Sequence, residues 1–203
     1  SVEVTMIERI SGTNKKSRRV NAYTLTAMAF GCALLMLCSY LTISIPPMVP
    51  VTLQTFAVFL ITLWLGWREG FLTVLCYIAC GALGLPVFAG GNGGFGVLFG
   101  STGGYIFGFL LIPLVSGVLL RVLPDRICTK YAALSAGLFT CYLFGTIWFT
   151  YLYSRANGNI GFFTAAMMCV VPYILPDYAK MTLAIFLWQR LEKQIRKYKE
   201  KHK

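Results

Sequence analysis

Asp177 and Lys180 are an acidic and a basic residue three positions apart in an apolar stretch, "VVPYILPDYAKMTLAIFLW". On a helix, residues at this spacing share one face. A charged side chain at the centre of a membrane helix costs about 2.5 to 3.5 kcal/mol on insertion scales, so such a pair is by default a candidate functional site. Two structural interpretations remain open: a mutual ion pair, and a Lys180 side chain that extends to the membrane interface.

A second group of polar residues lies in "PVTLQTF", at the start of another apolar run. Thr52, Gln54 and Thr55 offer two hydroxyls and an amide that both donates and accepts hydrogen bonds. Helix capping explains Thr52 equally well. Asn92, inside a glycine-rich segment, and Tyr105, just after it, are further candidates for contact with the same ligand.

The residue types that catalytic and metal sites need are scarce in this chain. The single histidine, His202, is in the charged C-terminal tail, and the seven cysteines contain no C-x-x-C pair. Lys16 is the only lysine followed by Ser or Thr, and no glycine precedes it, so the chain has no Walker A motif. We therefore expect no metal, no disulfide, no cofactor, no enzyme active site and no ATP hydrolysis by the chain itself.

Composition indicates the class of protein that must position these residues. The 203 residues are 57% hydrophobic and 12% charged, and the mean hydropathy is +0.70. A chain this apolar is typical of an integral membrane protein, in which a helix needs roughly 20 apolar residues to cross the bilayer. We predict an all-α bundle of six transmembrane helices, with spans at about 20–42, 50–67, 70–83, 103–122, 131–153 and 165–190.

The distribution of basic residues predicts the orientation of this bundle. Lys and Arg concentrate in the leader, in "WREG", in "RVLPDRICTK" and in the tail, whereas the alternate connections contain only Arg155. Because positive charge favours the cytoplasm, both termini are expected there. The net charge of +11 is then mainly a topology signal, and basic residues that flank spans indicate no nucleic-acid binding. We predict a basic leader at 1–19, a membrane domain at 20–191 and a basic cytoplasmic tail at 192–203.

A long extracellular loop between the third and fourth spans, "GLPVFAGGNGGFGVLFGSTGGY", is rich in glycine. Ten of the chain's 20 glycines fall between Gly81 and Gly104, so the segment is expected to form neither a stable helix nor a strand. Its apolar residues predict that it folds back over the bundle as a lid, with Phe88 and Phe95 as flat walls. The alternative is a packing or linker segment that binds no ligand.

The first span carries small residues at helical spacing in "TAMAFGCA". Ala27 and Gly31, and likewise Ala29 and Ala33, stand four positions apart, which lets helices approach closely in a bilayer. This pattern predicts a surface that docks a partner membrane protein. Internal packing within the bundle explains the pattern as well.

Three motifs, "PVTLQTFAVFL", "GALGLPVFAGGNGGFGVLFGSTGGY" and "LPDYAK", resemble the biotin-specific S component of energy-coupling-factor (ECF) vitamin transporters, the BioY family. The resemblance implies a bacterial-type cell-membrane subunit that captures biotin from outside. It also implies assembly with a transmembrane coupling protein (EcfT-like) and two ABC ATPase subunits. Asp177 and Lys180 match family positions that contact biotin, and Gln54 and Asn92 are implied less directly.

Biotin presents two ureido N–H donors, a carbonyl acceptor, an apolar ring and a carboxylate. Asp177 is suited to accept from an N–H, and Lys180 to donate to the ureido oxygen or to the carboxylate. Phe88, Phe95 and Tyr105 are expected to cover the apolar ring. Alternative functions are an S component for another small vitamin, and a channel or intramembrane enzyme that uses the pair as a proton or ion relay.

Overall fold

The structure of the chain, a computed structural model, describes residues 22–43 and 51–201. The predicted leader and His202 lie outside these residues. The described residues form helices and two short strands: α1 (Ala22–Tyr40), β1 (Thr42–Ile43), β2 (Val51–Thr52), α2 (Gln54–Ala82), α3 (Phe95–Leu98), α4 (Gly103–Gly108), α5 (Leu111–Val122), α6 (Ile127–Asn157), α7 (Phe162–Cys169) and α8 (Val171–Lys201). The strands pair antiparallel, with Thr42 opposite Thr52.

Helix α2 folds back on itself at Gly66. This glycine has φ 80° and ψ −166°, a conformation that is essentially restricted to glycine. A Cβ built on Gly70 would lie 3.8 Å from the Cα of Thr62, so the chain after the turn packs against the chain before it. At the far end of the two arms, the Gln54 side-chain amide donates to the Tyr77 hydroxyl. The predicted spans at 50–67 and 70–83 therefore correspond to two antiparallel arms of one element.

Several helices are long and apolar enough to cross a membrane. Among the described residues these are Ala22–Tyr40, Gln54–Ala82, Gly103–Val122 and Ile127–Ala156. Helices Phe162–Cys169 and Val171–Ile195 are bent by 43° and count as a fifth candidate if they form one span. Helix α8 continues without a break to Lys201, through most of the predicted tail.

One end of the bundle gathers the connections that carry basic residues. A cavity there is lined by residues from the Gly66 turn region, from the α5–α6 connection and from α8, including Leu63, Asp125 and Trp188. An apolar groove places Tyr23, near the start of α1, beside Trp64 and Trp188. The start of α1 and the C-terminal part of α8 therefore lie at the same end.

The opposite end is covered by the glycine-rich segment between α2 and α4, which is ordered by specific contacts. Phe88 is fully buried, and its ring occupies the space that a Cβ on Gly81 would need, 2.1 Å away. Tyr40 of α1 donates to the carbonyl of Pro86 at 2.6 Å, and the Trp148 indole of α6 donates to the Gly100 carbonyl at 3.0 Å. The segment thus folds back onto the bundle as predicted.

Two short ordered pieces lie within this segment, which forms a structured loop with no long helix and no regular strand among the described residues. Phe88 and Asn92 form an isolated antiparallel bridge around a 3-10 turn at Ala89–Gly91. Helix α3 follows at Phe95–Leu98. The glycines provide the turns between these pieces.

The small residues of α1 divide between two faces. Ala27 is 4% exposed. A Cβ built on Gly31 would lie 3.1 Å from the Thr73 side chain, so Gly31 is in close contact with α2. This pair, predicted as part of a docking surface, packs inside the bundle instead, because α2 approaches α1 along this stripe. Ala29 and Ala33 lie on the exposed face.

Candidate functional site

A cavity lies against the glycine-rich segment, among residues of α2, α4, α6, α7 and α8. The empty space within it, including its open mouth, is about 670 Å³. The lining residues are Thr52, Gln54, Thr55, Ala89, Val97, Thr102, Tyr105, Ile106, Phe109, Cys141, Tyr142, Cys169, Tyr173, Asp177 and Lys180.

The charged pair predicted from the sequence forms one wall of this cavity. Lys180 Nζ lies 2.8 Å from Asp177 Oδ1, and the two residues are only 9% and 3% exposed. Their spacing on α8 places both side chains on the face that meets the cavity. A buried pair of this kind is tolerated only when additional hydrogen bonds satisfy the remaining polar atoms.

Two residues from other helices supply those hydrogen bonds. The Thr55 hydroxyl donates to Asp177 Oδ1 at 2.8 Å and accepts from Lys180 Nζ at 3.3 Å. The Tyr142 hydroxyl of α6 donates to Asp177 Oδ2 at 2.5 Å. The carboxylate is therefore held by donors from the first arm of α2, from α6 and from its own helix.

Gln54 belongs to a second polar chain that connects the cavity to the glycine-rich segment. The Thr52 hydroxyl donates to Gln54 Oε1 at 2.8 Å, and Gln54 Nε2 donates to the Tyr77 hydroxyl. Tyr77 in turn donates to the Val87 carbonyl at 2.8 Å. The amide is thereby fixed in orientation while it lines the cavity.

The rest of the wall is mainly apolar. Val97 of α3, Ile106 of α4 and Phe109 face the cavity together with the ring of Tyr105. The Tyr105 hydroxyl is paired with Thr146 at 3.1 Å. The cavity thus combines one charged, hydrogen-bonding wall with an apolar surface that fits a small ring.

The structure brings together six of the residues predicted as ligand contacts and leaves three elsewhere. The six that line the cavity are Thr52, Gln54, Thr55, Tyr105, Asp177 and Lys180. The others, Phe88, Asn92 and Phe95, are absent from its lining.

Each of these three residues has another position in the described structure. Phe88 is buried against Tyr77, with ring centroids 5.6 Å apart, and so holds the glycine-rich segment against α2. The Asn92 amide donates to the Ala89 carbonyl at 2.8 Å. Phe95 is 62% exposed and stacks on Phe99. A direct ligand contact by any of them remains a prediction.

Sequence reasoning did not identify Tyr142 and Tyr173 as cavity residues. Both are tyrosines in strongly apolar helices that contain several other aromatic residues, so neither residue type nor spacing distinguishes them. Only the packing of α6 and α7–α8 around the cavity does so. No group of three or more His, Cys, Asp or Glu residues in the described part of the chain is arranged to hold a metal ion.

Comparisons with known proteins agree with this architecture. The model of the BioY family matches residues 13–197. A probable biotin transporter BioY of Pyrococcus horikoshii is 36% identical over 173 residues, covering 85% of this chain and 98% of the relative. The biotin transporter BioY of Thermotoga maritima is 37% identical over 163 residues, covering 79% and 90%. The solved S component for biotin from an ECF-type ABC transporter is similar with a TM-score of 0.75 and 28% identity, covering 89% of this chain and 94% of that one.

Proposed function

Because the chain belongs to the BioY family, we propose that it is the biotin-binding S subunit of an ECF-type transporter and that the cavity is its capture site. The buried pair Asp177–Lys180 in the cavity wall is the observation that carries this assignment. It offers a fixed acceptor and a fixed donor side by side, and the ureido group of biotin presents the complementary N–H and C=O.

The apolar wall complements the rest of the ligand. Tyr105, Ile106 and Phe109 form a surface against which the fused ring of biotin packs. Gln54, held by Thr52 and Tyr77, offers its amide to a second polar group of the ligand. Capture of this kind makes and breaks no covalent bond and requires no cofactor.

We infer that the protein crosses the membrane six times with both termini in the cytoplasm. Two observations support this: the arms of α2 are antiparallel, and the start of α1 lies at the same end as the later part of α8. That end carries Arg68, Arg121 and the basic residues of α8, as the positive-inside rule requires. The glycine-rich segment then faces outward from the plasma membrane, above the cavity.

Energy for uptake is proposed to come from partners. These are two ABC ATPase subunits and a transmembrane coupling protein. The coupling protein docks on the exposed face of α1 that contains Ala29 and Ala33. Small side chains on this face permit close approach of a partner helix. The structural neighbour is an S component of such a transporter, which supports an energising module as partner.

Binding of biotin to the purified protein tests the proposal. In detergent, isothermal calorimetry should show one biotin per chain. An analogue that lacks sulfur but keeps the ureido ring should still bind. An analogue without the ureido ring should bind at least about a hundredfold more weakly, because buried polar groups would lose their partners. Equal affinity for the analogue without the ureido ring would overturn the assignment.

A further inference from the structure

Tyr142 is the one donor to Oδ2 of Asp177 among the described residues. Tyr142 belongs to α6 and Asp177 to α8, so this hydrogen bond joins two helices that line the cavity. The other carboxylate oxygen, Oδ1, accepts from both Thr55 and Lys180 at 2.8 Å. The two oxygens of this carboxylate are therefore held unequally.

The unequal pairing limits how the carboxylate can receive a ligand. An ionised Asp offers about four acceptor positions, two on each oxygen. Two donors fill those of Oδ1, whereas Tyr142 fills one of the two on Oδ2. One acceptor position thus remains for a ligand N–H, and its direction depends on where the tyrosine hydroxyl holds Oδ2.

We propose that Tyr142 is a positioning residue, which fixes Oδ2 of Asp177 so that a single acceptor direction faces the ligand. This inference rests on the proposed function and adds to it a residue from a different helix. It accounts for a hydroxyl at this site, since a phenylalanine ring would fill the same space without a hydrogen bond. It also implies that Asp177 receives one N–H of the ureido ring and leaves the second to another group.

The test is a double-mutant cycle of biotin binding, with Tyr142→Phe and Asp177→Asn made singly and together. Tyr142→Phe alone should weaken biotin binding about tenfold or more, because hydrogen bonds to buried charges are stronger than neutral ones. In the Asp177→Asn background the same substitution should change affinity less than about twofold, since the positioned charge is gone. Equal losses in both backgrounds would assign Tyr142 to general packing and overturn the inference.

Tyr178→Phe is the matched control. Tyr178 also connects α8 to α6, through a hydrogen bond of its hydroxyl to Ser135 at 3.0 Å, but it does not line the cavity. Its loss should leave biotin affinity within about twofold of the parent. A loss like that of Tyr142→Phe would show that any tyrosine contact between these helices has the same effect, and would also overturn the inference.

The remaining outcomes are also decisive. If the single variant Tyr142→Phe does not fold but the double variant Tyr142→Phe, Asp177→Asn does, the tyrosine acts through the carboxylate. If the single and the double variant lose the same yield of folded protein, the positioning role is rejected. A parent chain that does not bind biotin overturns the proposed function and this inference with it, whereas a parent that binds and a Tyr142→Phe variant that binds equally well overturn the inference alone.

Discussion

Lys180 and Lys130 are two lysines with nearly equal burial at opposite ends of the bundle. Each is about nine-tenths buried and paired with an aspartate, Lys180 with Asp177 at 2.8 Å and Lys130 with Asp125 at 2.9 Å. The partner of Lys130 is exposed, so that pair is partly solvated. The partner of Lys180 is buried and shared with two hydroxyls. Burial of the Asp177–Lys180 pair costs desolvation free energy, because buried charges are strongly disfavoured. Such a cost is expected where the pair serves a function.

Removal of either charge at the cavity should therefore weaken capture. Asp177→Asn and Lys180→Ala should each reduce biotin affinity by roughly 2 kcal/mol or more, about thirtyfold, as measured by calorimetry. Lys130→Ala is the matched control and should leave affinity unchanged. If both cavity variants bind like the parent and only lose thermal stability, the pair has a purely structural role.

The residue types and spacing of this pair were sufficient to predict it from the sequence. Ionisable residues are rare in apolar membrane segments unless they pair or serve a ligand, whereas tyrosines such as Tyr142 are common there and carry no such signal. Phe88 and Phe95 show the converse limit. Their apolar character predicts burial or ligand contact equally well, and only the fold of the glycine-rich segment buries Phe88 and leaves Phe95 exposed.

At the scale of elements, α1 has two faces in different environments. One face packs Ala27 and Gly31 against α2 inside the bundle, and the other leaves Ala29 and Ala33 exposed. The sequence showed both pairs at the same spacing and left their roles open. The identity of the buried pair depends on the position of α2, which no local pattern encodes.

A bulky substitution on the exposed face is expected to affect docking of the coupling protein without affecting biotin binding. Ala29→Trp together with Ala33→Trp should leave biotin binding by the isolated subunit nearly intact, because these positions lie away from the cavity. In the reconstituted assembly the variant should lose ATP-driven uptake and co-purify poorly with the coupling protein, since bulky side chains prevent close helix approach. Ala132→Trp, on the exposed face of α6, serves as the control. Uptake at the parental rate would remove this face of α1 from the docking surface.

The whole molecule is polarised from end to end. Basic connections, the Gly66 turn and the later part of α8 lie at one end, and the glycine-rich segment with the cavity lies at the other. The sequence predicted this division through the charges of the connections. It also separated the second and third spans at the connection "WREG", and the structure turns the chain at Gly66, directly before that connection.

Sidedness is measurable with thiol chemistry. In a background without the other native cysteines, Cys128 at the basic end should react with a membrane-impermeant maleimide only after cells are permeabilised. Ser101→Cys in the glycine-rich segment, without any native cysteine, should react in intact cells, because both positions are exposed but on opposite sides. The reverse pattern would contradict the proposed orientation. Retained biotin binding confirms that each cysteine-depleted protein is folded.

The hairpin at Gly66 also has a consequence for bilayer thickness. The arm that runs from Gln54 to the turn is only about 18 Å long at 1.5 Å per residue, against a hydrocarbon layer of ~30 Å. With the turn at the inner boundary, Gln54 and the polar wall beside it would lie about two fifths of the thickness below the outer boundary. The difference between the arm length and the hydrocarbon thickness is filled by the glycine-rich segment or removed by local thinning of the bilayer. In the proposed orientation, a captured vitamin would thus lie within the depth of the membrane, and its remaining path to the cytoplasm would be shorter by that distance.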